Sequence, residues 1–207
     1  MASNTGGLTR KRGSTRRAML VAAVDVLRER GAAGLTIDEV LARSGAPRGS
    51  VYYHFPRGRN QLLTEALNYA GDSITAVIDA VADRGGMALV RRFVTFWERA
   101  LAGSAYSAGC PVMAAAISTT EDQSVLASTA GQIFVRWRDA LAQTFRADGF
   151  ESAEAESLAV MCIAALEGAV ALCRSAGNAE ALHQVGQQLE FLLKSRELVR
   201  LYGAAGR

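Results

Sequence analysis

The chain has 207 residues, 50% of them hydrophobic and 21% charged, the composition of an ordinary globular protein of one or two domains. Those proportions exclude a disordered chain, a collagen and a disulfide-dense scaffold. The net charge of +3 conceals an asymmetry: residues 1–66 hold 11 Lys+Arg against 5 Asp+Glu, and the remainder 12 against 15. A basic first third implies that one end of the chain meets a polyanion.

Residues 1–13 are polar, glycine-containing and basic, which predicts a flexible arm whose Arg10, Lys11 and Arg12 neutralise phosphates. Basic residues without an apolar stretch behind them do not make a signal peptide. From Ser14 to Arg30, Leu20, Ala23, Val24 and Leu27 recur at helical spacing, and Gly31 and Gly34 end the run. Thr36 followed by Glu39 reads as a capping box opening a short helix with Ile37, Val40 and Leu41 inward. That helix stops at Ser44-Gly45. Pro47 suits a first helical position, so a second short helix is predicted up to Tyr53, held from inside by Val51 and Phe55. At least one of Tyr52 and Tyr53 is expected to pack in the small core.

Pro56 and Gly58 mark a break, and a long helix is predicted over 59–82. Further helices are expected at 87–102, 111–120, 123–147, 151–175 and 178–200, making eight or nine in all. No alternating β-branched run and no Asn-Gly hairpin argues for a sheet. The apolar run from Ala159 to Cys173 carries Glu167 at its centre, which favours a buried helix over a membrane span. Cys110, Cys162 and Cys173 lack CxxC spacing, and their odd number suits a reducing, cytoplasmic setting.

The stretch Thr36 to Phe55 (TIDEVLARSGAPRGSVYYHF) has the spacing of a helix-turn-helix, whose second helix enters the DNA major groove. Its chemistry fits that task. Arg48 can reach a guanine edge or a phosphate, Gly49 permits close approach, and Ser50 can bond to either. Tyr52, Tyr53 and His54 add donors and flat faces, while Arg57 and Arg59 follow at the start of the next helix.

This stretch, with the preceding Arg28-Glu29-Arg30-Gly31, resembles the TetR family of transcriptional regulators over residues 14–66. Gly109-Cys110-Pro111-Val112 adds a likeness to the LmrA/YxaF-type branch. The resemblance implies an all-α homodimer that binds a palindromic operator and is released by a small ligand. The domains would be the arm 1–13, a three-helix DNA-binding domain 14–58, and a larger effector-binding and dimerisation domain 59–207. By position, Thr36, Arg48, Ser50, Tyr52, Tyr53 and His54 match family operator contacts. Arg59 stands one place beyond the usual Lys, and Pro47 stands where a capping Ser is usual.

In the remainder, Leu182, Val185, Leu189, Leu192 and Val199 form a near-heptad face, predicted to be the dimer seam. Small residues from Ala159 to Ala169 would let backbones approach in the neighbouring helix. For a small, apolar or amphipathic effector, the candidate lining is Phe93, Trp97, Cys110, Met113, Ile117, Trp137, Cys162 and Glu167. Glu167 needs a partner, which an effector's polar group can supply. An enzyme is the rival class, yet with His54 and His183 the only histidines, no triad, metal cluster or phosphate loop is written locally. No cofactor and no membrane partner are expected. A helical scaffold without DNA binding is the remaining alternative, and it leaves the basic second helix unused.

Overall fold

A computed structural model describes the backbone of residues 5–118 and 123–203, and the side chains of 13–118 and 124–200. Among the described residues there are nine α-helices, two short 3-10 turns (Ala32–Gly34 and Ala82–Arg84) and no strand. The α-helices are α1 (Thr5–Arg30), α2 (Ile37–Ser44), α3 (Ser50–His54), α4 (Arg59–Asp79) and α5 (Gly86–Ala102). They continue with α6 (Pro111–Ala116), α7 (Gln123–Ala147), α8 (Ser152–Ala176) and α9 (Glu180–Gly203). The all-α expectation is met.

α1 begins earlier than Ser14, so the backbone of 5–13, read as an arm, is helical; residues 1–4 lie outside the described residues. The side chains of Arg10, Lys11 and Arg12 lie outside them too. The helix expected over 111–120 ends at Ala116, and residues 119–122 are likewise outside. Backbone contacts divide the chain into two compact units: 1–71 with 111–131, and 72–110 with 132–207. This division falls within α4, within α7 and between Cys110 and Pro111, and the anticipated 58/59 boundary lies inside the first unit.

In the first unit, Met19, Val26 and Leu27 of α1 bury against Val40 of α2, Val51 and Phe55 around α3, and Leu62 and Leu63 of α4. Arg43 ties α2 to α1 by donating to Glu29 and Glu39, each at 2.8 Å. The Arg16 guanidinium sits 5.3 Å from the centre of the Phe55 ring and pairs with Glu65.

In the second unit, α5, α8 and α9 pack on one another around Leu89, Phe93, Leu166, Val170, Leu182 and Leu189. A close approach is required at Gly186, where an added Cβ would lie 2.7 Å from Val94 Cγ2. The N-terminus of α5 is capped by Asp148, whose carboxylate accepts from the Gly86 amide at 2.7 Å. α8 is apolar and long enough by composition to cross a bilayer, but its Leu158, Cys162, Leu166, Val170 and Cys173 are buried in the protein.

This packing takes Leu182 and Leu189 out of the predicted seam. Leu182 and Leu189 are 0% and 5% exposed inside their own protomer, with Leu193 beside them at 3%. Val185 and Leu192 are half-buried. The apolar side chains left exposed are Val160, Met161 and Leu172 on α8, and Phe191, Leu198 and Val199 on α9. Heptad spacing on α9 registers contact with α5 and α8, because a helix buried on one side carries that periodicity whether its neighbour is its own chain or another.

Candidate nucleic-acid interface and apolar cavity

The helix-turn-helix is built from local chemistry. Thr36 is in an extended conformation ahead of α2, and its hydroxyl accepts from the Glu39 amide at 3.1 Å. The reciprocal half of the capping box does not form, because the Glu39 carboxylate accepts from Arg43 and lies 3.5 Å from Arg30. Gly45 ends α2 with φ 65 and ψ 15, a left-handed conformation that a side chain disfavours, and its amide closes onto Leu41 at 3.0 Å. The chain then turns through Ala46 and Pro47. Pro47 is not the first helical residue: its carbonyl accepts from the Ser50 amide at 2.9 Å and the Ser50 hydroxyl at 2.6 Å, and α3 starts at Ser50.

Within α3 and the turn before it, the apolar residues face inward and the polar ones outward. Val51 and Phe55 are fully buried. Tyr52 and Tyr53 are 62% and 60% exposed, so neither packs in the core as anticipated; Val51 and Phe55 already fill that space. His54 is half-buried, its ring edge-on to Tyr53 with centroids 4.9 Å apart. Arg48 is exposed and pairs with Asp38 of α2 at 2.5 Å. A pair so exposed contributes little to stability and leaves the guanidinium open to another acceptor. Arg48, Gly49, Ser50, Tyr52, Tyr53 and His54 are thus brought together around one short helix. Asp38, the partner of Arg48, was missed by sequence reasoning; its position in the first turn of α2 reads only as complementing the helix dipole.

Arg59 does not join this group. Its Nε donates to the Leu35 carbonyl at 2.8 Å and its terminal nitrogen to the Ala32 carbonyl at 2.7 Å, tying α4 to the chain after α1. A guanidinium engaged in satisfying these carbonyls acts as a structural strut, which sets Arg59 apart from the candidate DNA contacts around α3.

The second unit holds an apolar cavity lined by Ile74 of α4, Phe93 and Trp97 of α5, Trp137 and Leu141 of α7, and Cys162, Ile163, Leu166 and Glu167 of α8. Phe93, Trp97, Trp137, Cys162 and Glu167 were anticipated from sequence; Ile74, Leu141, Ile163 and Leu166 were not, because aliphatic residues at helical spacing look like any core. The cavity volume is about 20 Å³, room for about one water. Met113 on α6 and Ile117 just after it belong to the first unit and do not line this cavity; Ile117 is 72% exposed.

Glu167 is 7% exposed, and its Oε2 has no hydrogen-bond partner. Burial pushes its carboxyl up to about 7, opposed by a hydrogen bond from the Cys110 thiol. Cys110 therefore stands behind Glu167 rather than on the cavity wall. Burial also pushes the Cys162 thiol up to about 12, which keeps it protonated and unreactive. All three cysteines are buried and none forms a disulfide.

Comparison with known proteins agrees with both halves of the chain. Residues 19–66 match the family model for bacterial regulatory proteins of the tetR family. Residues 87–188 match the model described as transcriptional regulator LmrA/YxaF-like, C-terminal domain. A protein described as the uncharacterized HTH-type transcriptional regulator Rv0196 of Mycobacterium tuberculosis is 39% identical over 183 residues, covering 86% of this chain and 93% of that protein. The HTH-type transcriptional regulator LmrA of Bacillus subtilis is 26% identical, covering 88% of this chain and 98% of that one. Among solved structures, a TetR-family regulator from Cytophaga hutchinsonii superposes with a TM-score of 0.74 at 20% identity, covering 89% of this chain and 96% of that one. The regulatory protein TetR from Rhodobacter sphaeroides gives 0.72 at 22% identity, covering 84% and 96%. Both curated relatives are described as HTH-type transcriptional regulators. With its helix-turn-helix and its LmrA/YxaF-like helical domain, the chain belongs to the TetR family of DNA-binding transcriptional regulators.

Proposed function

We propose that this regulator is a homodimeric repressor that leaves a palindromic operator when a small apolar or amphipathic effector enters the α5–α7–α8 cavity. The observation that carries the DNA-reading half is the exposure of Arg48, Tyr52 and Tyr53 around α3, above a core closed by Val51 and Phe55. Arg48 reads a base edge, Ser50 and His54 contact base or phosphate, and the Thr36 end of α2 abuts the backbone. Dimerisation uses the outward faces of α8 and α9: Val160, Met161, Leu172, Phe191 and Val199, with Ala164 and Gly168 between them allowing close helix approach. Buried cysteines that form no disulfide fit a reducing cytoplasm.

Release is a population shift in which effector favours a spacing of the two reading heads that mismatches successive major grooves. A differential affinity of about 100-fold corresponds to about 2.7 kcal/mol of coupling, within the usual range. The test selects genomic fragments retained by the protein, then titrates one such fragment and a scrambled duplex at several salt concentrations. Arg48→Ala is expected to lose about 10- to 100-fold on the selected duplex and much less on the scrambled one. Deleting residues 1–13 should weaken both duplexes alike, lowering the log–log salt slope by about 0.9 per lost phosphate contact. Retention of no fragment above background at low salt would overturn the reading.

A further inference from the structure

Three features of the cavity narrow the chemistry of what it accepts, on the reading that it is the effector site. Its walls carry three aromatic rings, Phe93, Trp97 and Trp137. Its only lining group able to carry charge at neutral pH is the Glu167 carboxyl, with Oε2 buried and unpartnered. Among the described residues no Lys, Arg or His lines it.

An anionic effector would meet Glu167 with nothing to neutralise it. A hydrocarbon would leave Oε2 without a donor, a cost that a matched ligand removes. A neutral hydroxyl satisfies the oxygen, but a charged donor makes a bond about twice as strong, and indole faces attract cations. We propose that the cavity recognises an organic ammonium, an aromatic or alkyl body bearing a protonated amine that donates to Glu167 Oε2.

The protonation state of Glu167 permits this. With its carboxyl pushed up to about 7 by burial, the charged form stays accessible at neutral pH and a cation beside it favours that form. Cys110 bonds to it and Cys162 shares the cavity wall with it, and burial keeps the Cys162 thiol neutral. The Cys110 thiol already donates to the carboxylate and leaves the second oxygen for the ligand. Entry of any such molecule must widen a cavity that now has room for about one water.

The chain has 2 Trp, and both line this cavity, so intrinsic fluorescence reports occupancy directly. The probes are phenethylamine, phenethyl alcohol and ethylbenzene, matched in body and differing in the head. At neutral pH the amine is expected to bind about tenfold tighter than the alcohol, with ethylbenzene weakest. Glu167→Gln keeps the shape and removes the charge; it should abolish the preference for the amine while leaving the alcohol within about threefold. Circular dichroism confirms that the variant is folded, and if it is not, the order of the three probes on the unmodified protein decides. Equal or tighter binding of the alcohol or ethylbenzene overturns the proposal, as does an amine preference that survives Glu167→Gln, or no response to any probe. Each of these failures is read without DNA and leaves operator recognition by α3 standing, whereas loss of fragment retention bears on that reading alone.

Discussion

The two compact units place their candidate functional groups on opposite sides of their helices. In the first, apolar side chains such as Val51 and Phe55 close inward and the polar ones of α3 and its preceding turn stay in solvent. In the second, the candidate ligand contacts Phe93, Trp97, Trp137 and Glu167 are buried, and the exposed residues of interest are apolar ones on α8 and α9. A DNA-reading surface must be exposed before its partner arrives, so it is polar and needs only a short scaffold. A ligand cavity must exclude water, so its lining is indistinguishable in character from core, and it is assembled from helices far apart in the chain.

The largest expected effect breaks the comparison in the second unit. Leu189→Glu places a charge at a site 5% exposed among α5 and α8, a burial that costs about 3 kcal/mol or more, and the variant should be unfolded or insoluble. Phe191→Glu, at a residue 68% exposed in the protomer, should instead give a folded monomer by circular dichroism and sedimentation. A folded monomer from Leu189→Glu together with a dimer from Phe191→Glu would return the seam to the Leu182–Leu189 face.

Next in size is the stability cost of Glu167. Its carboxyl is raised to about 7 from an ordinary 4.5, so between those values the unfolded chain releases its proton while the folded one retains it. Stability contributed at this site therefore falls as pH rises from about 4.5 to about 7 and is level above. Glu167→Gln removes that fall, so it should be more stable than the parent by up to about 3 kcal/mol at pH values near 8 and nearly equal below 4.5. Urea unfolding across that range is the measurement, and a difference independent of pH would show that the carboxyl is hydrated in solution.

The smallest effect lies in the reading head. Thr36→Ala removes the hydroxyl that accepts from the Glu39 amide and should cost about 1 kcal/mol, with Thr36→Ser close to neutral. The loss is read as a shift in urea midpoint without change of slope. An unchanged midpoint would mean that the Arg43 pairs to Glu29 and Glu39, rather than the cap, hold α2 in place.

Local pattern determined a good deal of this protein. The Thr36 cap, the left-handed Gly45 and the inward Val51 and Phe55 are decided by interactions a few residues apart, so the helix-turn-helix and its outward Arg48 could be read from the chain itself. Helical periodicity likewise marked all nine helices to within a few residues, apart from the starts of α1 and α3 and the end of α6. Tertiary structure decided what each buried face meets. Leu182 and Leu189 serve α5 and α8 of their own chain, Arg59 answers the carbonyls of Ala32 and Leu35, and Tyr52 and Tyr53 both stay out because the core is already full. It also decided that Glu167, Trp97 and Trp137 share one cavity while Met113 and Ile117 do not. The physical reason is that periodicity records which side of a helix avoids water, whereas the identity of the neighbour depends on contacts across long stretches of chain.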